Sequence, residues 1–162
     1  MNELELLGLI AEIAATLLGF IAVFLALSNE EGRFSAADRH FIQAIVLCSV
    51  LAIILSLIPG VFNLFLEERA AWEASLYVGL ACATTVGALM GWEQWHMPQQ
   101  EAVEVNWLWH VPPWAIATIS TMMLVFAYFD PTNLAAFYVA GTACQIPLAL
   151  WCFVAIVFRR FF

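Results

Sequence analysis

Five apolar stretches divide the chain, and each is long enough to cross a bilayer as a helix. A helix rises about 1.5 Å per residue and the hydrocarbon layer is about 30 Å thick, so roughly 20 apolar residues span it. We therefore predict an all-α integral membrane protein that forms a single transmembrane domain over residues 1–162. The five transmembrane helices are predicted at about 4–27, 36–66, 74–92, 112–129 and 132–158.

Local signals mark the ends and kinks of these helices. Ser35 and Asp38 have the spacing of a capping box, which predicts the start of the second helix. Pro59 and Pro147 lie inside apolar stretches, where a proline removes a backbone hydrogen bond and kinks the helix. Residues 130–133 have the composition of a tight turn with the proline at the first helical position, so the last two helices should form an antiparallel hairpin.

Small residues recur along the third helix. Gly79, Ala83, Gly87 and Gly91 follow one another at a spacing of four. This spacing places them on one face of the helix, where small side chains allow another helix to approach closely. We therefore expect close helix contact along this stripe.

The composition is that of a membrane protein. Hydrophobic residues make up 64% of the chain and charged residues 11%, and the mean hydropathy is +0.91, values far from those of a soluble domain. The formal net charge of -8 at pH 7 argues against nucleic acid as a partner and favours cations near the surface. The lipid bilayer is thus the first partner that the sequence predicts.

Arginines predict the orientation, because the chain contains no lysine. Cytoplasmic loops carry an excess of positive charge. Four of the five arginines fall on one side of a five-helix arrangement and the fifth, Arg69, on the other; the four are Arg33, Arg39, Arg159 and Arg160. We therefore expect the amino terminus outside and the carboxyl terminus inside.

The first helix carries an acid inside its apolar run. Glu12 lies roughly 12 Å along the helix from its start, deep in the hydrocarbon layer. At about 100° per residue, it shares one stripe with small or polar residues. These residues are Glu5, Gly8, Ala15, Thr16, Gly19, Ala22 and Ala26. Because small residues let another backbone approach, we expect the stripe to face protein or a water-filled path, with Glu12 pointing inward.

Two roles are open for Glu12. An ionisable group within a membrane helix indicates an ion or proton path, but the same carboxyl can be a protonated group that holds helices or subunits together. Counting residues along each helix places Glu12 at the same depth in the bilayer as five other polar side chains, which predicts a shared polar layer. The other five are Ser56, Thr84, Thr85, Thr121 and Gln145. Either this layer binds the helices together, or Glu12 stripes from several subunits converge on an axis.

Residues 93–111 are predicted to form a tryptophan-rich loop on the inner side. One hypothesis is a metal site, because Glu93 and His96 have the spacing found in carboxylate-bridged di-metal proteins. Glu101, Glu104 and His110 would complete its ligands. We favour the alternative of an aromatic belt with solvated acids, since the symmetric partner of the motif is missing. The sequence therefore predicts no cofactor and no enzymatic activity.

Five short segments in the first half of the chain together form a recognisable pattern. They are 11–16 (AEIAAT), 19–20 (GF), 38–39 (DR), 56–59 (SLIP) and 72–75 (WEAS). This pattern resembles a family of small bacterial inner-membrane proteins without an assigned function. The resemblance implies a multi-pass protein of the bacterial inner membrane, with Glu12 inside a recurring motif, and it implies no activity.

The sequence favours a homo-oligomeric membrane protein that forms a cation or proton pathway. The first helix would line the pathway with Glu5, Glu12, Thr16 and Gly19. A chain of 18.0 kDa with five spans has little room for an internal pore, so conduction would require several subunits. The alternative is a non-conducting structural or regulatory subunit whose inner loop docks a protein partner.

Overall fold

The computed structural model describes residues 2–28, 35–96 and 107–161. Within these ranges every regular element is a helix. The helices are α1 (Glu3–Ser28), α2 (Ala36–Phe62), α3 (Glu68–Trp95), α4 (Trp107–Phe129), α5 (Leu134–Ala143) and α6 (Gln145–Phe161). In the described part of the chain, five segments are long and apolar enough to cross a membrane, α5 and α6 together forming the fifth. The predicted number of such segments is confirmed.

The start of α2 follows the predicted capping box. The Asp38 backbone N–H donates to Ser35 Oγ at 3.1 Å, and the Ser35 N–H donates to Asp38 Oδ2 at 3.2 Å. These two bonds satisfy backbone donors that a helix start leaves without partners. The helix accordingly begins at Ala36, as the sequence predicts.

The connection between α2 and α3 is shorter than predicted. α2 ends at Phe62 instead of residue 66, and α3 begins at Glu68 instead of residue 74. The acidic segment before residue 74 is therefore mostly helix. Arg69 and Glu73 lie four residues apart on one helix face and form an ion pair at 3.0 Å, an arrangement that supports helix formation.

The connection between α3 and α4 is also shorter than the predicted loop of residues 93–111. α3 continues to Trp95 and α4 begins at Trp107, so both ends of that segment are helical. Residues 97–106 lie outside the described part of the chain.

The fifth span consists of two helices, whereas the sequence predicts one kinked helix. α5 ends at Ala143 and α6 begins at Gln145, with Cys144 between them. Pro147 has no N–H to donate to the carbonyl of Ala143, and its ring crowds that carbonyl. The helix is interrupted one turn before the proline. At the other end, α5 begins at Leu134, so Pro131 lies in the preceding turn and the predicted start at residue 132 is wrong.

α2 and the fifth span occupy the centre of the bundle. Half of the α2 span is buried (50%) and 44% of the fifth, against 17% for each of the other three. α2 contacts α1, α3, α5 and α6, while α4 contacts α3, α5 and α6. α1, α3 and α4 therefore lie around a central pair.

Two apolar clusters fill the bundle. The first has residues from each of the five helices α1, α2, α3, α4 and α5. It includes Leu7, Leu55, Leu76, Leu124 and Tyr138. The second joins α1, α2 and α6 and includes Ile21, Phe41, Ile45, Leu148 and Ile156. Because α5 belongs to the first cluster and α6 to the second, the break at Cys144 lies where the two clusters meet.

Candidate functional site

The acidic stripe of α1 lies on the outside of the chain. Leu7, Ile10, Ala14 and Ile21 are the α1 residues buried against the other helices. The predicted stripe is exposed along its whole length: Glu5, Gly8, Glu12, Ala15, Thr16, Gly19, Ala22 and Ala26. Glu12 therefore points away from the bundle of its own chain, and the expectation that it points inward fails for a single copy. The face with Leu7, Ile10 and Ile21 turns inward, where it buries apolar surface against the neighbouring helices.

Glu12 has no partner within the described residues: no side chain there donates a hydrogen bond or forms an ion pair with its carboxyl. Thr16, one turn further along α1, donates its hydroxyl to the backbone carbonyl of Glu12 at 2.8 Å. Adding a Cβ at Gly8 or Gly19 would meet no atom within 4 Å. The stripe is therefore an open, small-residue surface with one uncompensated carboxyl near the middle of the helix.

The residues of the predicted polar layer do not form one connected network. Thr84 and Thr85 are exposed, and their hydroxyls donate to carbonyls of α3 itself, those of Leu80 at 2.8 Å and Ala81 at 2.7 Å. Such bonds satisfy the hydroxyl within the helix and join no second element.

Three members of the layer lie inside the bundle, in different situations. Ser56 is buried, and its hydroxyl makes no hydrogen bond with the described residues. Thr121 is half-buried and donates to the carbonyl of Ala117 in its own helix at 3.0 Å. Only Gln145 reaches another helix.

Gln145 and Ser120 connect the fifth span to α4. Gln145 Nε2 donates to Ser120 Oγ at 2.8 Å, and Ser120 Oγ donates to the Gly141 carbonyl at 2.8 Å. Both side chains are buried. A Cβ at Gly141 would lie 3.1 Å from the Ser120 carbonyl and from Leu124, so the glycine permits this close approach. The two halves of the interrupted span are thus both hydrogen-bonded to the Ser120 side chain of α4.

No protein-family model, curated protein or solved structure matches this chain. A function is therefore inferred from the chain's own geometry.

Tyr138 is a structural contact that the sequence reasoning missed. Its hydroxyl donates to the carbonyl of Leu55 at 2.8 Å. That carbonyl would normally accept from the residue four positions on, which is Pro59 and has no N–H. The proline is the signal that could have indicated a need for an outside donor.

His40 and Glu93 meet where α2 begins and α3 ends. His40 Nδ1 lies 3.8 Å from Glu93 Oε2, and His40 is buried. Glu93 Oε2 is shielded from solvent and accepts no hydrogen bond from the described residues. This pair brings a buried imidazole next to a carboxylate whose side chain is 39% exposed.

Of the five residues in the hypothetical metal set, the structure describes the side chains of two, Glu93 and His96. The His96 ring stacks on Trp92, with centroids 4.2 Å apart, and its Nδ1 lies 2.8 Å from the Trp92 carbonyl. Among the described residues, no three His, Cys, Asp or Glu side chains come together. Glu101 and Glu104 lie outside the described residues, and the structure does not describe the side chain of His110.

Proposed function

We propose that the chain is inserted in a membrane through its five span-length segments, with the amino terminus outside and the carboxyl terminus inside. Each segment exposes large apolar side chains, which lipid accommodates and water does not. Examples are Phe20, Leu57, Leu89, Phe126 and Leu150. The arginine distribution supports the orientation, and the resemblance of the first half supports the inner membrane of a bacterium.

Copies of the chain associate, in this proposal, through the outward stripe of α1. A charged side chain at the centre of a membrane helix costs about 2.5–3.5 kcal/mol on insertion scales. Within the described residues Glu12 has no compensating partner. A second copy laid on the stripe removes the carboxyl from lipid, and the small residues around it permit the close approach.

Glu12 then serves as the titratable group of a cation or proton pathway between copies. Between Glu5 and Ser28 it is the only residue of α1 that can carry a charge. Thr16 and Gly19 follow it on the same exposed face. The observation that carries the proposal is the uncompensated carboxyl on a face that its own chain leaves uncovered.

Flux through proteoliposomes tests the pathway. Wild-type protein, Glu12→Gln and the control Glu67→Gln are reconstituted at equal density, and proton and cation uptake is followed with entrapped indicator dyes. Both variants remove one negative charge, but Glu67 is exposed at the start of α3. We expect flux in the wild type and the control, and loss of flux in Glu12→Gln. Equal flux in all three proteins would contradict the role of Glu12.

A non-conducting structural or regulatory subunit is the second candidate. It is favoured by one observation, namely that Gln145 is used to join helices through hydrogen bonds. In that case Glu12 would also form hydrogen bonds that join helices, either between two copies of the chain or between the chain and a protein partner. Glu12→Gln would then weaken assembly, and neither the wild type nor the variant would show flux.

A further inference from the structure

A cavity of about 480 Å³ lies between α2, α3, α4 and α6. Its lining is mostly apolar and includes Phe41, Leu51, Val86, Met90, Val125 and Leu148. Sites for small molecules are typically of about 300–1,000 Å³, with apolar walls and a few polar groups. On α2 the lining runs from His40 to Leu51, which at about 1.5 Å per residue is a length of about 16 Å. The cavity therefore has the size of a ligand site and is elongated along the helices.

The cavity opens sideways between α3 and α4. At one end these helices are joined by Trp114 Nε1, which donates to Gln94 Oε1 at 2.8 Å. At the other end the rings of Tyr77 and Tyr128 meet, with centroids 6.4 Å apart. Between these contacts Gly87 lines the cavity and is exposed. In a membrane this opening faces the hydrocarbon layer, so an occupant would enter from the lipid side.

The glycine stripe of α3 explains the opening. A Cβ at Gly79 would lie 3.2 Å from the Tyr138 ring, and one at Gly91 would lie 3.7 Å from Trp114. A Cβ at Gly87, between them, would meet no atom within 4 Å. The stripe makes close contact at its two ends and opens onto the cavity at Gly87, so the expected contact along its whole length is wrong.

Gln145 places a free hydrogen-bond acceptor on the cavity wall. The Gly141 carbonyl accepts the single proton of the Ser120 hydroxyl, so Ser120 Oγ must accept from the Gln145 amide N–H, which fixes the orientation of the amide. Gln145 lines the cavity and is 5% exposed. Its Oε1 accepts no hydrogen bond from the described residues, yet it keeps accessible surface. A buried acceptor without a donor costs free energy, so a donor from outside the chain would be bound there.

Two threonines add acceptors to the same wall. Thr118 and Thr121 of α4 both line the cavity. Thr118 donates its proton to the Trp114 carbonyl at 2.7 Å, and Thr121 donates its proton to the Ala117 carbonyl at 3.0 Å. Each hydroxyl oxygen keeps a lone pair that can accept. Together with Gln145 Oε1, these oxygens favour a ligand that donates a hydrogen bond.

The walls favour an uncharged donor. Among the described residues that line the cavity, none is Asp, Glu, Lys or Arg. His40, at one end, already has the Glu93 carboxyl 3.8 Å from its Nδ1. An ion inside the cavity would lose its hydration without meeting an opposite charge on the walls. A hydroxyl group donates a hydrogen bond without carrying a charge.

The free acceptor lies near the middle of the cavity. On α4 the lining runs from Pro113 to Phe126, and Ser120, the partner of Gln145, lies midway between them. Apolar walls therefore extend from the acceptor in both directions along the helices. A ligand that fills the cavity has its donor between two apolar parts instead of at one end.

We propose that this cavity binds an uncharged, membrane-soluble alcohol whose hydroxyl lies between two apolar parts and donates a hydrogen bond to Gln145 Oε1. The two apolar parts occupy the two ends of the cavity. The proposal rests on the proposed insertion in a membrane, but it does not depend on Glu12 or on association between copies.

The direct test uses three probes with the same number of carbons: undecan-6-ol, undecan-6-one and undecan-1-ol. The purified full-length protein is inserted in nanodiscs, and co-elution of protein with lipid shows the insertion. Bound tritiated undecan-6-ol is counted after subtraction of the amount in empty nanodiscs, and unlabelled probes compete for it. We expect one undecan-6-ol per chain. The ketone, which has no proton to donate, and the terminal alcohol should each bind about tenfold more weakly, a factor that corresponds to about 1.4 kcal/mol.

Gly87→Leu tests the location. The new side chain would fill the cavity at its opening, and leucine favours a helix more than glycine does, so the fold is retained. Gly60→Leu is the control, because a Cβ at Gly60 also meets nothing within 4 Å and Gly60 does not line the cavity. Binding of undecan-6-ol should be lost in Gly87→Leu and kept in Gly60→Leu.

Gln145→Met tests the acceptor separately. It keeps an unbranched side chain but removes the amide, so the preference for undecan-6-ol over undecan-6-one should disappear. The variant also loses the hydrogen bond to Ser120. Ser120→Ala is the matched control, because it loses the same hydrogen bond but keeps the amide of Gln145, and it should retain the preference for the alcohol.

Four results would overturn the proposal. They are no binding of undecan-6-ol to the inserted protein, equally tight binding of undecan-6-one or undecan-1-ol, wild-type binding by Gly87→Leu, and an unchanged preference for the alcohol in Gln145→Met. Failure of the protein to insert in nanodiscs would contradict the proposed membrane location, and the ligand proposal with it.

Discussion

Tyr138 shows how one residue compensates for a proline on another helix. Its hydroxyl reaches the Leu55 carbonyl, which Pro59 leaves without an intrahelical donor. Its ring packs edge-on against Trp72, with centroids 5.8 Å apart, and lies against Gly79. The contact therefore joins α2, α3 and α5 at a point where a backbone group would otherwise be buried without a partner.

Tyr138→Phe keeps the ring and removes the hydroxyl. The buried Leu55 carbonyl then has no donor, a loss of about 1–3 kcal/mol. We expect a lower thermal unfolding temperature in detergent, measured by the change in circular dichroism.

Tyr77→Phe is the matched control, because the Tyr77 side chain is exposed. It should unfold at the wild-type temperature. If Tyr138→Phe unfolds there too, the hydroxyl of Tyr138 does not compensate for Pro59.

At the residue scale, the sequence shows which group lacks a hydrogen-bond partner, but it does not show which residue supplies that partner. The proline at position 59 identifies a carbonyl that lacks a donor, but Tyr138 is 83 positions away from Leu55 along the chain. Gln145 is predicted at mid-depth, while its partner Ser120 is one of several hydroxyls in α4. Spacing along one helix does not show which side chain of another helix it meets.

At the scale of elements, α1 has two different faces. Leu7, Ile10, Ala14 and Ile21 bury one face against the chain. The exposed face carries the small-residue stripe with Glu12, beside large apolar side chains such as Phe20 and Val23. The sequence correctly separates the two faces but assigns the inward direction to the stripe. The rule that small residues favour close approach does not say whether the approaching helix belongs to the same copy or another.

Gly19→Leu tests the outward face. A Cβ at Gly19 meets no atom within 4 Å in the single chain, so the variant should fold normally. If copies pack on the stripe, the larger side chain holds them apart. We expect energy transfer between donor-labelled and acceptor-labelled copies in vesicles to fall towards the value for random mixing.

Gly60→Leu again serves as the control, since its Cβ is equally free and lies on α2. It should leave energy transfer unchanged. Unchanged transfer in Gly19→Leu would show that the stripe is not the contact.

The turn between α4 and α5 gives a pH prediction. Asp130 accepts hydrogen bonds from Asn133 Nδ2 at 2.9 Å and from the Thr132 N–H at 3.1 Å. These bonds, that of Asn133 first, hold the pKa of Asp130 below its ordinary value of 3.8. Because the pKa is lowered on folding, the stabilisation is present above pH 3.8 and is lost as pH falls through the folded-state pKa.

Asp130→Asn should therefore unfold at a lower temperature than the wild type at neutral pH. The difference should shrink only when the pH falls below 3.8. Glu67→Gln, which alters an acid that makes no capping hydrogen bond, should show no such pH-dependent difference. If the difference in unfolding temperature between Asp130→Asn and the wild type is the same at neutral pH and below pH 3.8, the ionised Asp130 carboxylate does not stabilise this turn.

Element ends were predicted where a specific signal marks them. Ser35 and Asp38 give the start of α2 correctly. The start of α3 was placed too late because Glu68, Arg69 and Glu73 suggest a polar loop by composition, whereas Arg69 and Glu73 pair on a helix. The sequence predicts the interruption at Cys144 only as a kink, since it does not show that Ser120 donates a hydrogen bond to the Gly141 carbonyl.

At the scale of the whole molecule, α2 and the fifth span form the centre and the other three spans lie around them. The length of the apolar runs predicts the five spans reliably, because crossing a bilayer requires about 20 apolar residues. It does not predict which spans are central, since segments that are apolar on all sides carry little pattern to mark a buried face. The cavity beside Gly87 also depends on how four helices meet, which no single stretch encodes.

The central claim is that copies associate through α1 and bring Glu12 onto a shared axis. The most direct measurement is the native mass of the wild-type protein in nanodiscs, alongside Glu12→Gln. The account predicts a closed ring of at least four copies in the wild type that persists in Glu12→Gln, with only the flux lost. A monomer or dimer in the wild type would contradict it.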